Sequence, residues 1–145
     1  MWIGREQTHS SEFTMPRLLI VDDEEAICFS MSEYFSHHGF KVDTARELDE
    51  VEKLIGTTDY RVIIQDLRLS AKRDSDGLDI IRMLRDHNPQ AKIIVLTAYG
   101  SVEMEDEAKR CGADAFLMKP KPLSQVAQVV QGLLETPTSQ AVRHA

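Results

Sequence analysis

From Pro16 onward short apolar runs alternate with stretches of helical period, and this alternation restricts the chain to a βα-repeated parallel sheet more tightly than any other feature. The runs predict strands over residues 17–21, 41–45, 60–65, 92–96 and 115–118. Three of them are continuously apolar, as strands covered on both faces must be. Helical stretches lie between them. In residues 25–38, Ile27, Met31, Tyr34 and Phe35 fall on one helical face, and Gly39 supplies the stop. The others read as 47–55, 78–86, 101–110 and 123–134, the last placing Leu123, Val126, Val130 and Leu133 on one face.

Five strands and five helices define an α/β class with a doubly wound parallel sheet. Right-handed crossovers leave few arrangements of five such units, and the flavodoxin-like strand order 2-1-3-4-5 is the most frequent at this length. That order gathers the carboxyl ends of strands 1, 3, 4 and 5 around one crevice. The 145 residues suit one domain with a full core. We expect it over residues 16–134, preceded by a disordered leader or tag over 1–15 and followed by a polar linker or tail over 135–145. No apolar run is long enough to cross a bilayer. The formal charge of −7 argues against a nucleic-acid surface within the chain, because phosphate backbones are gripped by clustered Lys and Arg. Cys28 and Cys111 lack a CxxC spacing and a secretory signal, so they read as reduced thiols of a cytoplasmic protein.

An open α/β sheet places its ligands just beyond the strand ends. After strand 1 come Asp22, Asp23 and Glu24; after strand 3, Asp66; after strand 4, Thr97; after strand 5, Lys119. Taken singly these have plain structural readings, since acids before a helix complement its dipole and a hydroxyl at a strand end is often a cap. Together they are more specific. If strands 1 and 3 are neighbours, Asp66 converges with Asp22 and Asp23, and three carboxylates in one crevice are costly unless they protonate or bind a hard cation. Mg²⁺ meets that need with one or two carboxylates, waters and a phosphate. A hydroxyl and an ammonium opposite it complete a pocket for a phosphoryl group.

The segments LLIVDDE, VIIQDLRLS, IIVLTAYGS and GADAFLMKPKP resemble the signature segments of the receiver domains of two-component response regulators, from Arg17 to about Leu134. The resemblance implies that Asp66 is the phosphoacceptor for a sensor histidine kinase or phosphotransfer protein. It further implies that Asp22, Asp23, Asp66 and the backbone carbonyl of Arg68 hold Mg²⁺, and that Lys119 and Thr97 contact the phosphoryl oxygens. Phe116 takes the place of an aromatic that turns inward when the threonine moves, and the small Ala98 leaves the approach open. The same resemblance implies a cis Lys119–Pro120 bond, with Pro122 opening the last helix.

Two departures stand out. The family pattern has proline four residues and glycine eight residues after the phosphoacceptor, whereas this chain has Ser70 and Gly77, so the loop 68–76 is extended. Helix 4 carries an acid run, Glu103, Glu105, Asp106 and Glu107. Two rival functions are a pseudo-receiver that only binds protein and a haloacid-dehalogenase-like phosphatase. The latter needs a second Asp two residues after the first, where Arg68 stands. TAYGSVE is similar to receivers of the nitrogen-regulator (NtrC) type, which implies an output domain beyond the chain or a homodimer through the helix 4, strand 5 and helix 5 face. On the same resemblance the chain is a signalling phosphoprotein, not a metabolic enzyme, that catalyses only its own phosphotransfer and dephosphorylation.

Overall fold

A computed structural model describes residues 15–68 and 76–135; the expected leader, most of the extended loop and nearly all of the tail lie outside them. Five strands, β1 (Arg17–Val21), β2 (Lys41–Ala45), β3 (Val62–Gln65), β4 (Lys92–Thr97) and β5 (Ala115–Met118), form one parallel sheet in the order β2-β1-β3-β4-β5. Five helices connect and follow them: α1 (Glu25–Ser36), α2 (Leu48–Ile55), α3 (Asp76–His87), α4 (Val102–Cys111) and α5 (Leu123–Glu135). The expected class, strand order and element count are all present.

Alternate residues of the central strands face opposite layers, as the period of two requires. Leu19, Val21, Ile63, Ile93 and Val95 pack with Val51 of α2, Ile80, Ile81 and Leu84 of α3 and Ala108 of α4. Leu18, Ile20, Val62, Ile64, Ile94 and Leu96 pack with Met31 and Phe35 of α1 and Val126 and Val130 of α5. Burial on both faces explains the unbroken apolar runs of β1, β3 and β4. The edge strands β2 and β5 are less buried.

Element ends follow local chemistry. Ser101 Oγ accepts a hydrogen bond from the Met104 amide at 3.1 Å, so Ser101 caps α4 and the helix begins one residue later than its periodicity suggests. Glu103 and Glu105 in that first turn complement the helix dipole. Gly39 lies at φ 92°, past the end of α1, in a conformation that favours glycine. β3 begins at Val62 rather than residue 60, because Tyr60 turns its amide to Asn88 Oδ1 at 3.3 Å and its hydroxyl to Asp43 Oδ2 at 2.6 Å. β4 runs one residue further than its apolar run, since the Thr97 carbonyl accepts from the Lys119 amide at 2.8 Å. α5 extends to Glu135, the first residue of the expected tail.

Candidate functional site

The parallel register carries Val21, Gln65 and Thr97 to the same end of the sheet, so the residues just beyond β1, β3 and β5 emerge together. Lys119 spans the gap: its Nζ donates to Asp22 Oδ2 at 2.8 Å and to Asp66 Oδ2 at 2.9 Å. Asp22 and Asp66 are only 3% and 5% exposed, which puts two acids and one ammonium in a largely dehydrated space. The remaining oxygens are held by backbone. Asp22 Oδ1 accepts from the Glu24 amide at 2.9 Å, and Asp66 Oδ1 from the Arg68 amide at 3.1 Å. Each carboxylate is therefore fixed by a local turn on one side and by Lys119 on the other.

Burial raises the Asp22 carboxyl above its usual range, and Lys119 offsets only part of that effect. For Lys119, burial alone would favour the neutral amine, but its hydrogen bonds to Asp22 and Asp66 outweigh it and hold the ammonium above its ordinary value. The site thus keeps a cation where negative charge gathers.

A cleft of about 260 Å³ opens over this arrangement, with Asp23, Asp66 and Lys119 in its wall. Asp22 sits behind, tied to Lys119, and Thr97 is fully buried with its Oγ1 accepting from the Tyr99 amide at 3.1 Å. So the fold gathers Asp22, Asp23, Asp66 and Lys119, and sets Thr97 one layer back. Phe116 is half-buried on β5 against the α3 and α4 layer. Ala98 lines the cleft, as its small size suggested. The Lys119–Pro120 bond is cis.

Sequence reasoning missed two residues here. Tyr99, 54% exposed, walls the cleft, and the Arg68 guanidinium lies 4.4 Å from its ring centre. Gln65, fully buried, donates from Nε2 to the Gly77 carbonyl at 2.9 Å. An exposed aromatic two residues beyond the threonine, and an amide closing an apolar run, were the available signals.

The donor set suits a hard cation. Among the described residues no three His, Cys, Asp or Glu side chains gather closely enough to cage a metal by themselves. Asp23 and Asp66 at the cleft wall nevertheless provide the one or two carboxylates that a partly hydrated Mg²⁺ uses. The arrangement can present one carboxylate to an anionic group while neighbouring positive charge offsets the repulsion.

A doubly wound sheet with an acid pair, a third acid and a lysine at its strand ends places the chain in a class of α/β signalling modules. The response regulator receiver domain model matches residues 18–131, and the chain belongs to this family, the receivers of two-component systems. The regulatory protein AtoC of Escherichia coli is 31% identical over 88% of this chain, which spans 27% of that protein. Several other curated relatives are likewise longer, the chain spanning 25% to 60% of their lengths. A response regulator from Burkholderia pseudomallei, solved with a phosphorylated aspartic acid, a calcium ion and citrate, is 32% identical with a TM-score of 0.72. The match covers 84% of this chain and 75% of that one. The beryllofluoride-activated NtrC4 receiver domain dimer is 34% identical, with a TM-score of 0.71 and coverage of 80% and 93%. Members of this family are signalling proteins rather than metabolic enzymes. No helix among the described residues is long and apolar enough to cross a membrane.

Proposed function

We propose that the chain accepts a phosphoryl group on Asp66 from the phosphohistidine of a sensor kinase or phosphotransfer protein. The observation that carries this reading is the Lys119 bridge, which holds Asp66 at the cleft wall with a permanent cation beside it. An Asp66 carboxylate oxygen attacks phosphorus, the donor's phosphorus–nitrogen bond breaks, and its electron pair leaves on the imidazole. The product is an acyl phosphate on Asp66. Lys119 lowers the repulsion between the carboxylate and the incoming anion, and the Arg68 amide fixes the carboxylate's orientation. Asp23, Asp66 and the Arg68 carbonyl would hold Mg²⁺, with Asp22 behind them; the cation would neutralise charge on the transferred group.

After transfer, Thr97 releases the Tyr99 amide and follows the new phosphoryl oxygens, drawing the β4–α4 loop with it and letting Phe116 turn inward. Water then attacks the acyl phosphate within the same site, so the only reactions catalysed are the chain's own phosphotransfer and dephosphorylation. The receiver comprises residues 16–134, works in the cytoplasm within a phosphorelay, and delivers its signal through an attached output domain or a homodimer. The greater length of its relatives supports the first route. Tyr99, Val102 and Met118, exposed around α4 and β5, support the second, as does the dimer formed by the NtrC4 receiver.

Intact-mass spectrometry after incubation with Mg²⁺ and acetyl phosphate tests this reading. One phosphoryl group is expected, lost in Asp66→Asn and in excess EDTA. An unchanged mass would leave only a protein-binding pseudo-receiver, and a gain persisting in Asp66→Asn would move the site elsewhere.

A further inference from the structure

We propose that Gln65 is a positioning residue for the phosphoacceptor: its side chain fastens the far end of the extended 68–76 loop and thereby sets the Leu67–Arg68 backbone that orients Asp66. The inference rests on the phosphoacceptor reading above. Three observations carry it. Gln65 closes β3 opposite Val21 and Val95, on the face of the sheet whose core is built largely of apolar side chains, and is fully buried there. Its Nε2 donates to the carbonyl of Gly77 at 2.9 Å, joining residues twelve positions apart and closing the loop between them. At that point α3 crosses directly against the turn after Asp66, so closely that a Cβ on Gly77 would run into the Leu67 backbone.

Leu67 in turn leads to Arg68, whose amide donates to Asp66 Oδ1 at 3.1 Å. The contacts therefore run from Gln65 to Gly77, to the Leu67 backbone, to the Arg68 amide and to the reacting carboxylate. A longer loop leaves its two ends freer to separate, and the Gln65 amide ties them together within the core. Stability alone does not account for a glutamine here. Its Oε1 is buried without a hydrogen-bond partner among the described residues, a cost that an apolar side chain of equal length would avoid. What methionine would not supply is the hold on Gly77.

The test compares Gln65→Met, which keeps the length and loses the amide, and Gln65→Asn, which keeps the amide and loses the reach. Val95→Ala serves as a control that weakens the same face of the sheet without touching the loop. Mg²⁺ dissociation constants come from titrating amide resonances, with thermal melts to verify folding. Wild type and Val95→Ala should share one constant, whereas whichever glutamine variants fold should bind Mg²⁺ about tenfold more weakly, as when a partner of a ligating group is lost. The Arg68 amide resonance should shift in those variants before any metal is added. Phosphorylation by acetyl phosphate should recover at saturating Mg²⁺. A wild-type Mg²⁺ constant in a folded glutamine variant would overturn the positioning role while leaving Asp66 as acceptor. Failure of the wild type itself to bind Mg²⁺ or gain a phosphoryl group would instead remove the reading beneath it.

Discussion

Lys119 and Thr97 both stand near the proposed phosphoryl position, yet their surroundings give them different work. Lys119 is held by two buried acids, so removing it leaves Asp22 and Asp66 without their counter-ion. In metal-free Lys119→Ala we expect a loss of about 3–5 kcal/mol of stability, the usual cost of breaking a buried pair, measured by urea unfolding. The loss should shrink on adding Mg²⁺ or on acidification, because burial raises the Asp22 carboxyl and a protonated acid needs no counter-ion. Thr97 carries no charge, and its hydroxyl oxygen accepts a hydrogen bond from the Tyr99 amide. Thr97→Ala should still gain a phosphoryl group. It should fail, however, to show the amide shifts at residues 98–107 and Phe116 that the phosphoryl mimic beryllofluoride produces in wild type. A wild-type shift pattern in Thr97→Ala would refute the switch and spare the acceptor.

At the scale of elements, the polar group at the start of β3 shows how side chains set boundaries that an apolar run does not mark. Tyr60 bonds Asp43 of β2, which also pairs with Arg17 of β1 at 3.4 Å, so one carboxylate ties two strands to the segment that leads into β3. Burial and the Asp43 carboxylate both push the Tyr60 phenol above its usual value of 10.0. Its contribution is therefore complete below pH 10 and is lost as pH rises toward the folded-state value, since only the unfolded chain ionises in that window. Tyr60→Phe should cost about 1 kcal/mol at pH 7 for the lost hydrogen bond. The variant should also lose stability less steeply than wild type above pH 10, read from urea midpoints across that range.

For the whole molecule, the site depends on two apolar layers that hold the sheet rigid between them. Phe35 anchors the α1 layer, fully buried and edge-on to Tyr34 and Phe40 at ring distances of 5.3 and 5.7 Å. Phe35→Ala should cost about 3–5 kcal/mol by leaving a cavity. It should lower the melting temperature strongly yet leave the Mg²⁺ constant of the protein that remains folded unchanged, because no strand end moves. A changed constant would mean that this layer reaches the site.

Local periodicity was enough to give the architecture and the polar side chains that gather at one end of the sheet. Apolar runs buried on both faces read directly as β1, β3 and β4; Asp22, Asp66 and Lys119 each follow a strand and Thr97 closes one, where a parallel sheet delivers them to one end. Periodicity is a local property, and the crossover rules leave little freedom in joining the pieces. Tertiary structure alone decided which residues share a hydrogen bond across the gap. It set Asp22 behind Lys119 and Asp23 at the cleft wall, turned Tyr99 over the entrance, and aimed Gln65 at Gly77. Those relations join residues 12 to 97 positions apart, and they depend on rotamers and on the close approach of α3 to the Leu67 backbone. No spacing in the chain encodes such contacts, because they exist only once the layers have packed.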